Sequence, residues 1–163
     1  LEALKIDFFK DRIFVLTPKG DVIDLPRGAT PLDFAYHVHS EIGNHASGAR
    51  VNGGMVSFSW ELKSGDVVEI ILQKNKKPTA EWFGLVKTAL AKSRIRRALR
   101  YSQITSVVAK NRVNIQNLIS ARSGNEEAPI KITFIPKNKG ELEKIIKKLQ
   151  GIAGVKKVTY AVK

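Results

Sequence analysis

Residues 28–33, Gly-Ala-Thr-Pro-Leu-Asp, constrain the fold more than any other stretch of this chain. A threonine accepts hydrogen bonds from the first turn of a helix, and proline suits the first helical position. An acidic residue three places after the cap can reach back to it. A helix therefore starts at Pro31, with Thr30 as its N-cap and Asp33 completing a capping box. The preceding "RIFVLTPKGDVIDLP" is two apolar runs around Pro18-Lys19-Gly20-Asp21, which predicts a β-hairpin. After the helix, "ARVNGGMVSF" carries an Asn52-Gly53 hairpin signal. "ELKSGDVVEIIL" then turns at Ser64-Gly65 and ends on a β-branched strand. Two strands, a helix and two or three more strands within residues 1–73 is the ubiquitin-like β-grasp order.

The helix continues as "PLDFAYHVHSEIGN", with Gly43-Asn44 expected to stop it. At 100° per residue, Phe34, Ala35, Val38 and Ile42 share the core-facing arc, and Tyr36 points away from it. His39 lies at one edge of that arc, with His37 and Glu41 together beyond the other. All three histidines of the chain (His37, His39 and His45) fall in this short region. A metal site would use His37, Glu41 and His45. The expected break at Gly43 takes His45 off that face, so the ladder fails. No nucleophile stands with a base and an orienter, so no catalytic residue is assigned. Two readings remain: a solvated polar rim, or a contact surface on which imidazoles and Tyr36 stack on bases or bond phosphate and 2′-hydroxyl groups.

Charge divides the chain. Residues 1–73 hold 7 Lys and Arg against 10 Asp and Glu, whereas residues 74–163 hold 21 against 5. The second part is suited to a polyanion, with RNA the leading candidate. Residues 74–100 form a basic linker and helix. The helix is expected from Thr79 onward, with Trp82, Leu85, Val86, Ala89 and Leu90 on one face and Lys92, Arg94, Arg96, Arg97 and Arg100 near its end. These cations do not share a face, which favours diffuse contact with a nucleic-acid backbone over base readout. Trp82 reads as a packing anchor. Residues 101–163 read as helix, strand, strand, helix, strand, one strand short of a ferredoxin-like βαββαβ unit. The absent strand belongs in front of Tyr101. The whole is an α+β chain with domains at 1–73 and 101–163 joined by the 74–100 helix.

Several chemistries are excluded or unsupported. With no cysteine there is no disulfide, thiolate metal site or cysteine nucleophile, which fits a reducing cytoplasm. No apolar run approaches the ~20 residues of a membrane span, and "LEALKIDFF" lacks the charged-then-apolar pattern of a leader. "GARVNGG" has neither Walker spacing nor a following Lys-Ser/Thr. No metal or cofactor is expected.

The motifs TPKGDVIDLP, GATPLDFAYHVHSEIG and ARVNG closely resemble the TGS domain of the RelA/SpoT stringent-response enzymes, which make or hydrolyse (p)ppGpp. "PTAEWFGLVKTALAKSRIRRALR" resembles the helix that follows TGS in that family, and "ITSVVAKNRVNIQNLISAR" resembles its C-terminal ACT domain from the first helix onward. The resemblance implies a regulatory fragment without synthetase or hydrolase domains, and so not itself an enzyme. It also implies that TGS approaches the 3′ CCA end of an uncharged tRNA on the ribosome, in the cytoplasm, and passes the signal to the parent's catalytic domains. By motif, His39 is the implied tRNA contact, with His37, Tyr36 and Glu41 as supporting surface. Lys92, Arg94 and Arg97 complete the RNA-binding set, with tRNA and ribosomal RNA as partners. Asn44 and Ala46 replace residues that are usually His and Cys. Alternative roles implied by the family are binding of acyl carrier protein through TGS, and amino-acid binding at Asn114 and Ile115 or homodimerisation through ACT. The family's first ACT strand and loop have no counterpart between Arg100 and Tyr101, so either the segment is shortened there or a second chain supplies the strand.

Overall fold

The computed structural model describes residues 11–111, 115–120, 130–155 and 157–159. The chain forms two compact units, 1–98 and 99–163. The first is a mixed β-grasp. Strands β1 (Arg12–Leu16) and β2 (Val22–Pro26) form the expected antiparallel hairpin, with Phe14 opposite Asp24. Its turn needs the left-handed Gly20, at φ +91°. Helix α1 (Pro31–Val38) and the short α2 (Ser40–Asn44) lead to β3 (Ala46–Val51), β4 (Gly54–Val56) and β5 (Val68–Leu72). β3 pairs antiparallel with both β4 and β5, and Leu16 bridges Val67 in parallel, which sets the hairpin beside β5. The Asn52-Gly53 turn is the expected two-residue connection, with φ of 52° and 83°. The Asn52 amide donates to Asp66 Oδ1 and accepts from Val67 N–H, both at 2.9 Å.

The alternation of each strand puts Ile13, Val15, Leu25, Val51 and Val68 on one face, where they pack with Phe34 of α1 and with Ala29 and Leu62. The capping box forms as read from the sequence. Thr30 sits at φ −112° and ψ 169°, Pro31 begins the helix, and Asp33 Oδ2 accepts from Thr30 N–H at 3.0 Å.

The helix expected from Thr79 is instead two: α3 (Trp82–Leu85) and α4 (Ala89–Lys110), separated by the extended Val86. The break shifts the buried face, so that Trp82, Val86, Ala91 and Ile95 are buried while Leu90 is exposed. Trp82 meets Phe58 edge to face with centroids 5.6 Å apart, a packing role. α4 also runs through Arg100, where a separate linker helix was expected to end. Residues 89–110 contain no glycine or proline and are rich in Ala, Leu, Lys and Arg, so nothing in the backbone ends the helix there.

In the second unit, the C-terminal part of α4 is followed by β6 (Ile115–Ser120), β7 (Ile130–Phe134) and α5 (Lys139–Gln150), with β6 and β7 antiparallel. Ile104, Val108, Ile145 and Leu149 form its core, and Ile130, Ile132 and Phe134 pack on it partly buried. Asn138 caps α5, accepting from Glu141 N–H at 2.9 Å. Among the described residues no strand lies between β5 and β6, consistent with a ferredoxin-like unit that lacks its first strand. Residues 155 and 157–159 of the expected last strand are not paired, and the rest of that strand lies outside the described residues.

Candidate nucleic-acid interface

The joint between α1 and α2 departs from the sequence reading and defines the site. The helix expected to run from Pro31 to Gly43 breaks at His39, whose φ of −162° and ψ of 148° are extended. His39 ends α1, its N–H donating to Ala35 O, and caps α2, its Nδ1 accepting from Glu41 N–H at 3.2 Å. A ring nitrogen that accepts carries no proton, which leaves Nε2 as the nitrogen that bears the hydrogen and donates. His37 and His39 are exposed, and Val38 between them is 38% exposed instead of lying on the core arc. The joint thus presents two imidazoles around a small apolar surface.

Glu41 does not pair with His37, because the break removes their common helical face. Its carboxylate lies 3.4 Å from His45 Nε2, while His45 Nδ1 lies 3.1 Å from Lys76 O. Among the described residues no group of three or more candidate ligands could hold a metal ion.

Tyr36 is a correction. Expected as an exposed stacking plane, it is completely buried. Its hydroxyl donates to Asn44 Oδ1 at 3.2 Å, and its ring lies so close to Gly43 that a Cβ there would come within 2.3 Å of Cδ1. Gly43 is therefore a helical residue that permits this close approach, and the helix ends one residue later at Asn44, within the expected Gly43-Asn44 stop. Residues 87–94 dock on α1 through Asp33 and the Tyr36 carbonyl, and all of Pro31–Tyr36 is buried. Burial pushes the Tyr36 phenol above its ordinary value of 10.0. The native state then keeps a proton that the unfolded chain loses above pH ~10, so stability is present below that pH and falls by up to about 1.4 kcal/mol per pH unit above it. Tyr36→Phe is expected to flatten this alkaline decline in urea melts, with about 1 kcal/mol lost at neutral pH from the Asn44 bond. An unchanged decline would contradict the burial of the phenol.

The docking contacts centre on Asp33, which is 1% exposed. Besides Thr30 it accepts from Lys87 N–H at 3.0 Å, Thr88 N–H at 2.8 Å and Thr88 Oγ1 at 2.7 Å. Thr88 Oγ1 in turn accepts from Ala91 N–H at 3.1 Å, capping α4. Arg94 donates to the Tyr36 carbonyl. This second task of Asp33 was missed in the sequence; a threonine before the apolar-basic run "TALAKSRI" was the available sign of a cap.

Of the expected RNA-binding cations, Lys92 is exposed, whereas Arg94 and Arg97 are half-buried and Arg94 has this internal partner. Asn114 lies outside the described residues, and Ile115 opens β6.

Residues 13–72 match the TGS domain family, and residues 97–159 match the ACT domain family. The chain is 52% identical over 100 residues to a guanosine-3′,5′-bis(diphosphate) 3′-pyrophosphohydrolase of Aquifex aeolicus, covering 61% of this chain and 14% of that protein. It is 48% identical over 103 residues to a GTP pyrophosphokinase of Myxococcus xanthus, covering 63% and 14%. The chain is a TGS–ACT segment of the RelA/SpoT family. A GTP pyrophosphokinase of Escherichia coli K12 is 46% identical over 99 residues, 58% of this chain and 13% of that protein. The match therefore spans about a seventh of the length of these curated relatives. The RelA/SpoT segment described here is a regulatory region, made of TGS and ACT domains. No helix among its described residues is long and apolar enough to cross a membrane.

Proposed function

We propose that the TGS unit senses the 3′ CCA end of an uncharged tRNA on the ribosome, and that the segment passes this signal to the catalytic domains of a longer cytoplasmic RelA/SpoT-type protein. The observation that carries the reading is the state of His39. Its Nδ1 is committed to capping α2, which leaves Nε2–H as the hydrogen-bond donor that this exposed residue offers. Such a donor suits the ring nitrogens and phosphate oxygens of an unpaired terminal nucleotide, and Val38 and His37 offer apolar and stacking surface beside it. Lys92 and Arg97 act as backbone contacts, and the net charge of +13 draws the polyanion in. Arg94 serves here to dock α4 and is not assigned an RNA contact.

The test is binding of the chain to uncharged tRNA with and without its CCA end, each over a salt series. Intact tRNA is expected to bind at least ~10-fold more tightly, with affinity falling steeply as salt rises. Equal affinity for the trimmed tRNA would contradict a role at the 3′ end.

A further inference from the structure

Both ends of α1 are tied to the start of α4. At the first turn, the two oxygens of Asp33 gather three backbone N–H groups and two hydroxyls, from Thr30, Lys87 and Thr88. The carboxylate thus lies at the N-terminal ends of two helices, whose partial positive charges offset its own. At the last turn, Tyr36 offers one of the final carbonyls of α1, which have no partner within the helix, and Arg94 donates to it. From Thr88 to Arg94 is under two turns of α4, so these contacts hold that stretch along α1 at two points. His37 and His39 follow Tyr36 directly, and Lys92 lies within the stretch that is held.

We propose that Asp33 is a positioning residue that makes α1 and the basic start of α4 respond as one body, so that a nucleic acid gripping the His37–His39 joint is felt at once by α4. This rests on the joint being the tRNA contact. Asp33 does not touch the nucleic acid. Its carboxylate sets where Lys92 stands relative to the imidazoles. Movement of the last turn of α1 then becomes movement of the first turns of α4, which Thr88 and Arg94 anchor.

Thr88 gives a test that leaves the Thr30–Asp33 capping box in place. Thr88→Val removes the hydroxyl that donates to Asp33 and caps α4, and Thr88→Ser retains it. Hydrogen exchange and tRNA binding are measured on the whole chain. In Thr88→Val, exchange is expected to quicken at least ~10-fold at Ala91 and Lys92 and also at His39, Glu41 and Gly43, amides of the distant joint. Its tRNA affinity should fall about 10-fold with a salt slope shallower by about one phosphate contact, and Thr88→Ser should restore both. Faster exchange confined to residues 87–92, with the joint and the salt slope unchanged, would overturn the proposal. Failure of the unaltered chain to bind tRNA would refute the tRNA reading, and the exchange comparison alone would then decide the coupling.

Discussion

Asp33→Ala is expected to destabilise the first unit by about 3–5 kcal/mol, a large share of the roughly 5–15 kcal/mol that holds a domain folded. Removing the carboxylate deprives Thr30, Lys87 and Thr88 of the acceptor for three backbone N–H groups and two hydroxyls. A lost helix cap alone costs about 1 kcal/mol, and each buried donor left without a partner about 1–3. Water entering the gap recovers part of this, so the donors do not simply add. Asp33→Asn is milder but far from neutral. One oxygen becomes an NH2 group, and whichever way the amide turns it faces N–H donors that need an acceptor. Urea denaturation followed by the fluorescence of Trp60 and Trp82, both in the first unit, measures both variants. A loss below about 1 kcal/mol for Asp33→Ala would mean that the segment around Lys87 and Thr88 does not depend on this carboxylate.

Gly43→Ala should cost about 2–4 kcal/mol, against the usual direction of a glycine-to-alanine change in a helix. Alanine is favoured over glycine by about 1 kcal/mol in a helix interior. Here the new methyl would lie 2.3–2.5 Å from three ring atoms of Tyr36. The ring is completely buried and its hydroxyl is held by Asn44, so it can retreat only by shifting its buried neighbours or giving up that bond. The conflict belongs to the pair. In a Tyr36→Leu background, Gly43→Ala should be close to neutral, so a double-mutant cycle should return a coupling about as large as the cost of Gly43→Ala alone. Additive effects would show that the ring does not press on Gly43.

Both sites mark the limit of what neighbouring residues reveal. Thr30, Pro31 and Asp33, the Asn52-Gly53 turn and the alternating strands were legible because each is decided by residues within a few positions. Tyr36 was misplaced because helical phase reports one buried face, whereas α1 is also docked by a segment some 50 residues later in the chain. The continuous helix expected through Ile42 failed for a related reason. Val38 and Ile42 keep the apolar period, and nothing in the periodicity shows that His39 will turn its imidazole back to cap Glu41. Gly43 was legible as part of a stop because glycine ends many helices, but its use as clearance for a distant ring needs the third dimension. Of the site residues, His37, His39 and Lys92 are exposed as a contact surface requires, while Tyr36 and Arg94 serve the interior.

In the proposed function His39 offers its Nε2–H to the tRNA end while its Nδ1 holds the joint. These two tasks separate cleanly in substitutions. Asparagine is a good cap and can accept from Glu41 N–H, but it carries no donor at the position of Nε2. His39→Asn should therefore keep stability within about 0.5 kcal/mol of the unaltered chain, whereas His39→Ala loses about 1 kcal/mol with the cap. The deciding measurement is the affinity of His39→Asn for uncharged tRNA with an intact CCA end, beside the same tRNA trimmed. At least a ~10-fold loss on intact tRNA, bringing it down to the trimmed value while stability holds, is the expected result for one lost hydrogen bond to a charged or strongly polar partner. An intact preference for the CCA end in His39→Asn would contradict the assignment of His39 as the contact.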